Sequence, residues 1–195
     1  ATSRGDTISA PVFLASHLRA TNASTNTLAF RGPLAGTNAS LTLAGGKYSF
    51  LTNGTLSGPI TLAGSTSLFL TVAANNGAFG TGTVTFQNAT IQLYGSGLSD
   101  SASGYGTFDN RLVIPAGRSG TLLTGPRYTL GSTLTGGGTF NLKVDYVRGD
   151  VSGNWSGFTG LISVARSGNG PDEFRVQNAS GFPGAHLSLA TNVLL

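Results

Sequence analysis

The chain has 195 residues, a length typical of one domain, and its 30 glycines and 7 prolines make roughly a fifth of it turn-forming. Only 9% of the residues are charged, the formal net charge is +4 and cysteine is absent. This composition excludes a coiled coil, a charge-rich disordered tail, a zinc finger, a disulfide scaffold and thiol catalysis. The basic residues are scattered and no apolar run approaches the roughly 18 residues of a membrane span, so neither nucleic acid nor a membrane is predicted as a partner.

Short segments with apolar residues at alternate positions recur along most of the chain. Alternation with period two predicts β-strands, and no stretch sustains a helical period. Gly, Asn and Ser clusters between the segments favour turns. Residues 1–27, which include His17, are predicted to form an N-terminal strand or short helix that caps the fold. The predicted strands are Leu41–Leu43, Ile60–Leu62, Leu68–Val72, Val84–Phe86, Ile91–Leu93, Leu112–Ile114, Phe140–Val144, Phe174–Val176 and Leu187–Leu189.

The spacing of these strands favours a β-solenoid. Leu43 and Leu62 are 19 residues apart and Leu142 and Ile162 are 20 apart, which fits one turn of a solenoid. A weak repeat of an apolar residue, a small residue and glycine adds support at Leu34–Gly36, Leu56–Gly58, Leu134–Gly136 and Val151–Gly153. A β-sandwich of immunoglobulin type also has short, closely spaced strands, so the spacing alone leaves both folds open.

Three segments resemble the β-strand repeats associated with bacterial autotransporter passengers: Gly80–Phe86, Leu130–Leu142 and Val151–Gly160. The resemblance covers about residues 28 to 190 and implies an all-β fold, a single right-handed parallel β-helix of six or seven coils over residues 28–195. At the level of the fold, the chain also resembles the β-helical carbohydrate-binding modules that are accessory to xylanases. Trp155 departs from the repeat, which usually has a small or polar residue at that position.

Catalysis on a polysaccharide would require several carboxylates facing one sugar, or several around a calcium ion. The best candidate is the segment Lys143–Asp150, with Asp145, Arg148 and Asp150, but alternating charges on a solvent-facing strand more often serve solvation. His17 and His186 are expected at opposite ends of a solenoid, where they cannot share a triad. The chain is therefore predicted to be no enzyme and to have no cofactor and no transition-metal site, with calcium conceivable only at Asp145 and Asp150 or at Asp172 and Glu173.

Aromatic residues in predicted loops are the first candidates for ligand binding. Trp155 lies between Gly-Asn and Ser-Gly, Tyr94 and Tyr105 flank a glycine-rich loop, and Tyr146 precedes a charged turn. Loops of a solenoid face outwards, and an exposed ring offers an apolar surface to the C–H face of a sugar. The alternative for Trp155 is a structural role in which it fills a corner or covers one end of the β-helix.

Polar residues that alternate with the core positions are the second set of candidates. If they lie on one parallel sheet, they form a straight ladder with a spacing of roughly 4.8 Å, suited to an extended polymer. The ladder comprises Gln92, Tyr94, Arg111, Lys143, Asp145, Arg175 and Gln177.

These features predict a non-catalytic carbohydrate-binding module of a secreted bacterial glycoside hydrolase. The expected ligand is a plant cell-wall polysaccharide, xylan or another β-glycan, bound outside the cell by a module linked to a catalytic domain. The alternatives are an autotransporter-like stalk or adhesin and, third, a β-helical lyase or hydrolase. Exposed aromatics grouped on one face favour the module, a uniform Ser/Thr/Asn surface favours the stalk, and three convergent carboxylates in a cleft favour the enzyme.

Overall fold

The structure, a computed structural model, describes residues 5–70, 77–93, 106–124, 128–144, 149–166, 172–191 and 193–194. Its secondary structure is entirely β. The first twelve strands are β1 (Asp6–Ile8), β2 (Val12–Phe13), β3 (Leu18–Thr21), β4 (Thr27–Phe30), β5 (Leu34–Gly36), β6 (Leu41–Ala44), β7 (Lys47–Phe50), β8 (Thr55–Leu56), β9 (Ile60–Ala63), β10 (Ser67–Leu70), β11 (Val84–Gln87) and β12 (Ala89–Leu93). The remaining strands are β13 (Gly106–Phe108), β14 (Leu112–Ile114), β15 (Ser119–Leu123), β16 (Tyr128–Leu130), β17 (Leu134–Gly136), β18 (Thr139–Val144), β19 (Gly149–Val151), β20 (Leu161–Arg166), β21 (Asp172–Val176), β22 (His186–Leu189) and β23 (Val193–Leu194).

The strands form a right-handed parallel β-helix of about seven turns, which confirms the predicted fold class. Every strand pair that the structure describes is parallel, which excludes the antiparallel β-sandwich. One face is a nine-stranded sheet in the order β1-β4-β7-β10-β12-β15-β18-β20-β22. In the early turns, the chain continues from this sheet into the three-stranded sheet β2-β5-β8. In the later turns, it continues into the five-stranded sheet β13-β16-β19-β21-β23. The third face is the six-stranded sheet β3-β6-β9-β11-β14-β17.

The register fixes the length of each turn. Leu28 pairs with Tyr48 and Tyr48 with Leu68, so these rungs are 20 residues apart. Ile91 pairs with Leu122, a step of 31 residues, because residues 94–111, which include β13, separate β12 from β14. Insertions therefore enlarge the connections and leave the stacking of the rungs unchanged.

The N-terminal segment takes part in this stacking. Strands β1, β2 and β3 pair in register with β4, β5 and β6. The described part of residues 1–27 thus contributes the first rung of three sheets. A separate cap is not confirmed.

Alternation explains which residues form the core. Inward-facing Leu, Ile, Val and Phe side chains of successive rungs stack on one another, while Thr, Ser, Asn and Lys alternate with them on the outside. The nine-stranded sheet contributes the core residues Phe30, Tyr48, Phe50, Leu68, Ile91, Leu93, Leu122, Phe140, Leu142, Val144, Ile162 and Val164.

Small residues stack at the corner that precedes the six-stranded sheet, because the backbones of adjacent rungs approach closely there. A Cβ atom on Gly153 would lie 1.9 Å from the carbonyl oxygen of Ser132. Where the corner residue is larger, its side chain bonds to this backbone: Asn110 Nδ2 donates to Gly82 O at 2.9 Å and Asn178 Nδ2 to Gly153 O at 2.7 Å. At this corner, side-chain amides therefore donate the hydrogen bonds to backbone carbonyl groups that a neighbouring strand would otherwise provide.

The structure also explains the weak apolar-small-glycine repeat. Gly58 and Gly153 belong to this corner, whereas Leu34–Gly36 is strand β5 and Leu134–Gly136 is strand β17 of a different sheet. The repeat therefore marks close backbone contacts at several places and does not correspond to one structural unit. No helix in the described part of the chain is long and apolar enough to cross a bilayer.

Candidate functional site

Trp155, the first predicted sugar platform, lies inside the β-helix and is 0% exposed. Its ring packs 5.5 Å from the rings of Phe140 and Phe182, and its Nε1–H donates to the carbonyl oxygen of Ser132 at 2.9 Å. The expectation that this ring is exposed is wrong, because the turn that carries it replaces a strand and points inwards. The alternative reading, in which Trp155 fills a corner, describes its position.

The other predicted aromatic candidates, Tyr94, Tyr105 and Tyr146, lie outside the described residues, and so does Asp145. Within the described part of the chain, the exposed large apolar side chain with the highest exposure is Phe13, at 73%. It lies on the three-stranded sheet, apart from the polar candidates.

The predicted polar ladder is divided among three faces. Gln92 and Lys143 share one outward column of the nine-stranded sheet, with Leu123 on the rung between them. Arg111 precedes β14 of the six-stranded sheet, whereas Arg175 lies on β21 of the five-stranded sheet and Gln177 follows it. A single ladder through all of these residues is therefore wrong, because periodicity indicates which side chains face outwards but not which face they occupy.

Arg175 also has charged partners of its own. Its Nη2 lies 2.6 Å from Glu173 Oε2, two residues earlier on the same strand, and Asp150 occupies the position in register with Arg175 on the neighbouring strand β19. These charges compensate one another on the five-stranded sheet. No group of three or more His, Asp or Glu residues is arranged to hold a metal ion in the described ranges.

The structure assembles a polar column that the sequence did not reveal. One outward position is in register on eight successive rungs of the nine-stranded sheet. Each residue in this column is small and polar or is lysine. The "polar column" comprises Thr27, Lys47, Ser67, Thr90, Thr121, Asn141, Ser163 and Ser188.

A groove of about 390 Å³ lies on the same face, over the first four of these rungs. Its residues, termed the "face groove", are Thr27, Lys47, Tyr48, Ser49, Ser67 and Gln92. Ser49 points outwards but is only 8% exposed. The groove thus combines hydroxyl, amide and ammonium groups in a shallow depression that follows the axis of the β-helix.

Tyr48 gives this part of the sheet a fixed foundation. Its hydroxyl oxygen lies 3.0 Å from the carbonyl oxygens of both Ala20 and Ala44, inside the core. Burial raises the pKa of the Tyr48 phenol above its usual value of 10.0, because the phenolate would lose its hydration. The ring is therefore a neutral structural group.

The two histidines lie at opposite ends of the β-helix, as predicted. His17 precedes β3 in the first turn, and its Nδ1 lies 2.5 Å from Ser40 Oγ. His186 begins β22, the last strand of the nine-stranded sheet.

Comparison of the chain with protein-family models, with curated proteins and with solved structures finds no match. The functional reading therefore rests on the residues and geometry described above.

Proposed function

We propose that the chain is a non-catalytic carbohydrate-binding module whose ligand is an extended, uncharged β-glycan such as xylan. The observation that carries the proposal is the polar column, in register on eight rungs of one rigid sheet. Parallel strands repeat at about 4.8 Å, so the column extends for about 34 Å along a straight line. An extended polysaccharide offers hydroxyl groups along a comparable line.

The face groove is the proposed centre of binding. Lys47 and Gln92 donate hydrogen bonds to sugar hydroxyl and ring oxygens, and Ser49 and Ser67 both donate and accept. The parallel sheet holds these groups in place before the ligand arrives, which reduces the ordering cost of binding. Because Trp155 is buried, the proposal assigns recognition to polar contacts and predicts weak, micromolar to millimolar affinity.

The proposal follows the expected setting of such modules. The chain would act outside the cell, linked to a catalytic domain of a secreted bacterial glycoside hydrolase, and would keep that domain on plant cell-wall polysaccharide. The low charge content and the Ser/Thr/Asn surface are compatible with this role.

The test is affinity gel electrophoresis of the chain against xylan, β-glucan, mannan, pectin and cellulose, with an assay for reducing ends and unsaturated products. We expect retardation by a neutral β-glycan without product. The double variant Lys47→Ala/Gln92→Ala should weaken binding by about thirty-fold, since two hydrogen bonds contribute roughly 1 kcal/mol each. The matched control Thr61→Ala/Thr85→Ala, on the outer face of the six-stranded sheet, should bind like the parent.

A second candidate is an autotransporter-like stalk or adhesin, and the outer face of the six-stranded sheet favours it. From β6 to β17 that face presents one in-register column of uncharged β-branched side chains, Thr42, Thr61, Thr85, Val113 and Thr135, and Arg19 occupies the same column on β3. Trp155 and Tyr48 are both buried, and a uniform Ser/Thr/Asn surface is the feature expected of a spacer.

Distances within the chain test the stalk. Because cysteine is absent, Thr27→Cys/Ser188→Cys gives two unique sites for spin labels at the ends of the polar column. The rigid β-helix predicts a narrow distance distribution near 34 Å, about seven rung spacings, for either function, and a stalk predicts in addition no retardation by any polymer. A broad distribution would contradict the stalk, and retardation by a neutral glycan would favour the module.

A further inference from the structure

The charged residues of the described chain are divided between the faces of the β-helix. The nine-stranded sheet from Thr27 to Leu189 and the six-stranded sheet contain no Asp or Glu in their strands. Among the described acidic residues after β12, Asp150, Asp172 and Glu173 lie in strands of the five-stranded sheet, and Asp109 lies in the connection between β13 and β14. Arg118 lies at the edge between the six- and nine-stranded sheets, in the turn between β14 and β15, and neither of these strands contains Asp or Glu, a setting that attracts anions.

A second groove, of about 430 Å³, lies along this edge. One wall consists of Asn88, Ser119, Thr139 and Leu161, which occupy the same position on four successive rungs. The turns that carry Gly117, Arg118, Gly137 and Gly138 form the other side. We name this cavity the "corner groove". It lies at the corner that follows the six-stranded sheet, on the other side from the glycine-rich corner that precedes this sheet, and it shares no residue with the face groove.

Glycine at position 138 permits the close approach of two turns beside the corner groove. A Cβ atom on Gly138 would lie 2.4 Å from the carbonyl oxygens of both Arg118 and Pro115, so no side chain can occupy this position. The glycine thus lets the two turns stack closely.

Hydrogen bonds hold the polar groups of the corner groove in place. Asn88 has a positive φ of 62°, and its Oδ1 accepts from Ser119 N at 3.0 Å and from Ser119 Oγ at 3.3 Å. The turn that carries Arg118 is fixed at both backbone groups, since Arg118 N donates to Pro115 O and Arg118 O accepts from Thr139 N at 2.9 Å. The Arg118 side chain itself is exposed, and no ion pair of it occurs within the described residues.

We propose that the corner groove binds a carboxylate-bearing sugar unit of an acidic polysaccharide. The Arg118 guanidinium matches a carboxylate in two parallel hydrogen bonds. The hydroxyls of Ser119 and Thr139 bind sugar hydroxyls, and Leu161, which is 38% exposed, covers the apolar C–H face of the ring. The volume lies within the range of small-ligand sites, and neutral glycans lack the group that Arg118 recognises.

The experiment is affinity gel electrophoresis and calorimetric titration of the full chain with oligogalacturonate, at low and at high salt. We expect binding that weakens with salt. Arg118→Gln should reduce the affinity by about ten-fold or more, because a charged, bidentate contact is lost. Thr139→Ala should reduce it by a smaller factor. Arg118 is fully outside the core, and circular dichroism checks that the variants are folded.

Lys143→Gln is the matched control, since it removes the same charge from the outer face of the nine-stranded sheet, away from the corner groove. It should bind oligogalacturonate like the parent. An equal loss in Lys143→Gln and Arg118→Gln would overturn the proposal and show attraction by net charge alone, and so would an absence of binding. The neutral β-glycan assay with Lys47→Ala/Gln92→Ala tests the face groove separately, so that the failure of either site is distinguished from failure of the other.

Discussion

The six-stranded sheet and the region that follows it complete the same core in two different ways. Up to β17, each turn adds a short strand whose inward Leu, Ile, Val or Phe side chains fill the interior. After β17, the described chain forms no further strand there and stays joined to β17 by the bridge between Gly136 and Phe158 and by a hydrogen bond from Leu134 N to Asn154 O at 3.1 Å. Trp155, Phe158 and Phe182 fill the space instead. Large aromatic rings thus replace a strand where the backbone no longer supplies one.

A similar exchange occurs on the neighbouring face. Between β8 and β13 the described residues 77–80 form a turn, and Phe79 inserts its ring there with 0% exposure. Its centroid lies 5.4 Å from that of Phe50, which in turn stacks on Phe30 at 4.8 Å. Buried aromatics therefore mark the places where the regular rungs are interrupted.

The largest effect is expected from Trp155→Ala, because this change empties the region without a strand. We expect a loss of about 3–5 kcal/mol in the free energy of unfolding, from the lost burial and the cavity that remains. Urea unfolding followed by circular dichroism measures it. Trp155→Phe should lose less stability than Trp155→Ala, because it keeps part of the packing and loses only the hydrogen bond to Ser132. A loss of under 1 kcal/mol in Trp155→Ala would contradict the assignment of this ring to the core.

Gly120→Ala tests the regular region of the core. Gly120 faces inwards on β15, and an added Cβ would lie 2.7 Å from Cγ of Phe86. Overpacking should cost about 1–3 kcal/mol. Phe86→Leu in the same chain should restore part of this loss by making room for the methyl group. Additive losses in the double variant would show that the two residues do not compete for space.

Tyr48 gives a smaller, pH-dependent effect in the regular region. Its folded-state pKa is raised by burial, so above pH 10 the unfolded chain loses a proton that the folded chain retains. The contribution of Tyr48 to the free energy of unfolding is therefore fully present below pH 10 and is lost as the pH rises through its folded-state pKa. Tyr48→Phe should cost about 1 kcal/mol at neutral pH and should show a shallower decline at alkaline pH. Equal alkaline slopes in the two proteins would contradict this role.

The sequence predicted the elements in which apolar and polar residues alternate. All nine predicted segments overlap strands, and those at Leu112–Ile114, Phe140–Val144 and Leu187–Leu189 agree closely with β14, β18 and β22. Others were missed for physical reasons. Strand β15 has glycine at an inward position, β20 lacks strict alternation, and β5 and β8 are too short to show a period.

The candidate site was less predictable, because register decides which residues meet. Gln92 and Lys143 share a column only through the pairing of both strands with β15. Trp155 resembled a loop residue because its neighbours are Gly, Asn and Ser. The sequence did contain one signal that aromatic side chains fill the core at this point. Apolar and polar residues do not alternate between Val151 and Ile162, and Phe158 follows Trp155 by three residues.

Trp155 also permits the most direct measurement, since it is the only tryptophan of the chain. Its fluorescence reports whether the ring belongs to the core or to a binding surface. The account predicts a blue-shifted emission that resists acrylamide quenching and does not change when xylan or oligogalacturonate is added to saturation. A water-like emission that acrylamide quenches readily, and that shifts on addition of either polymer, would contradict it.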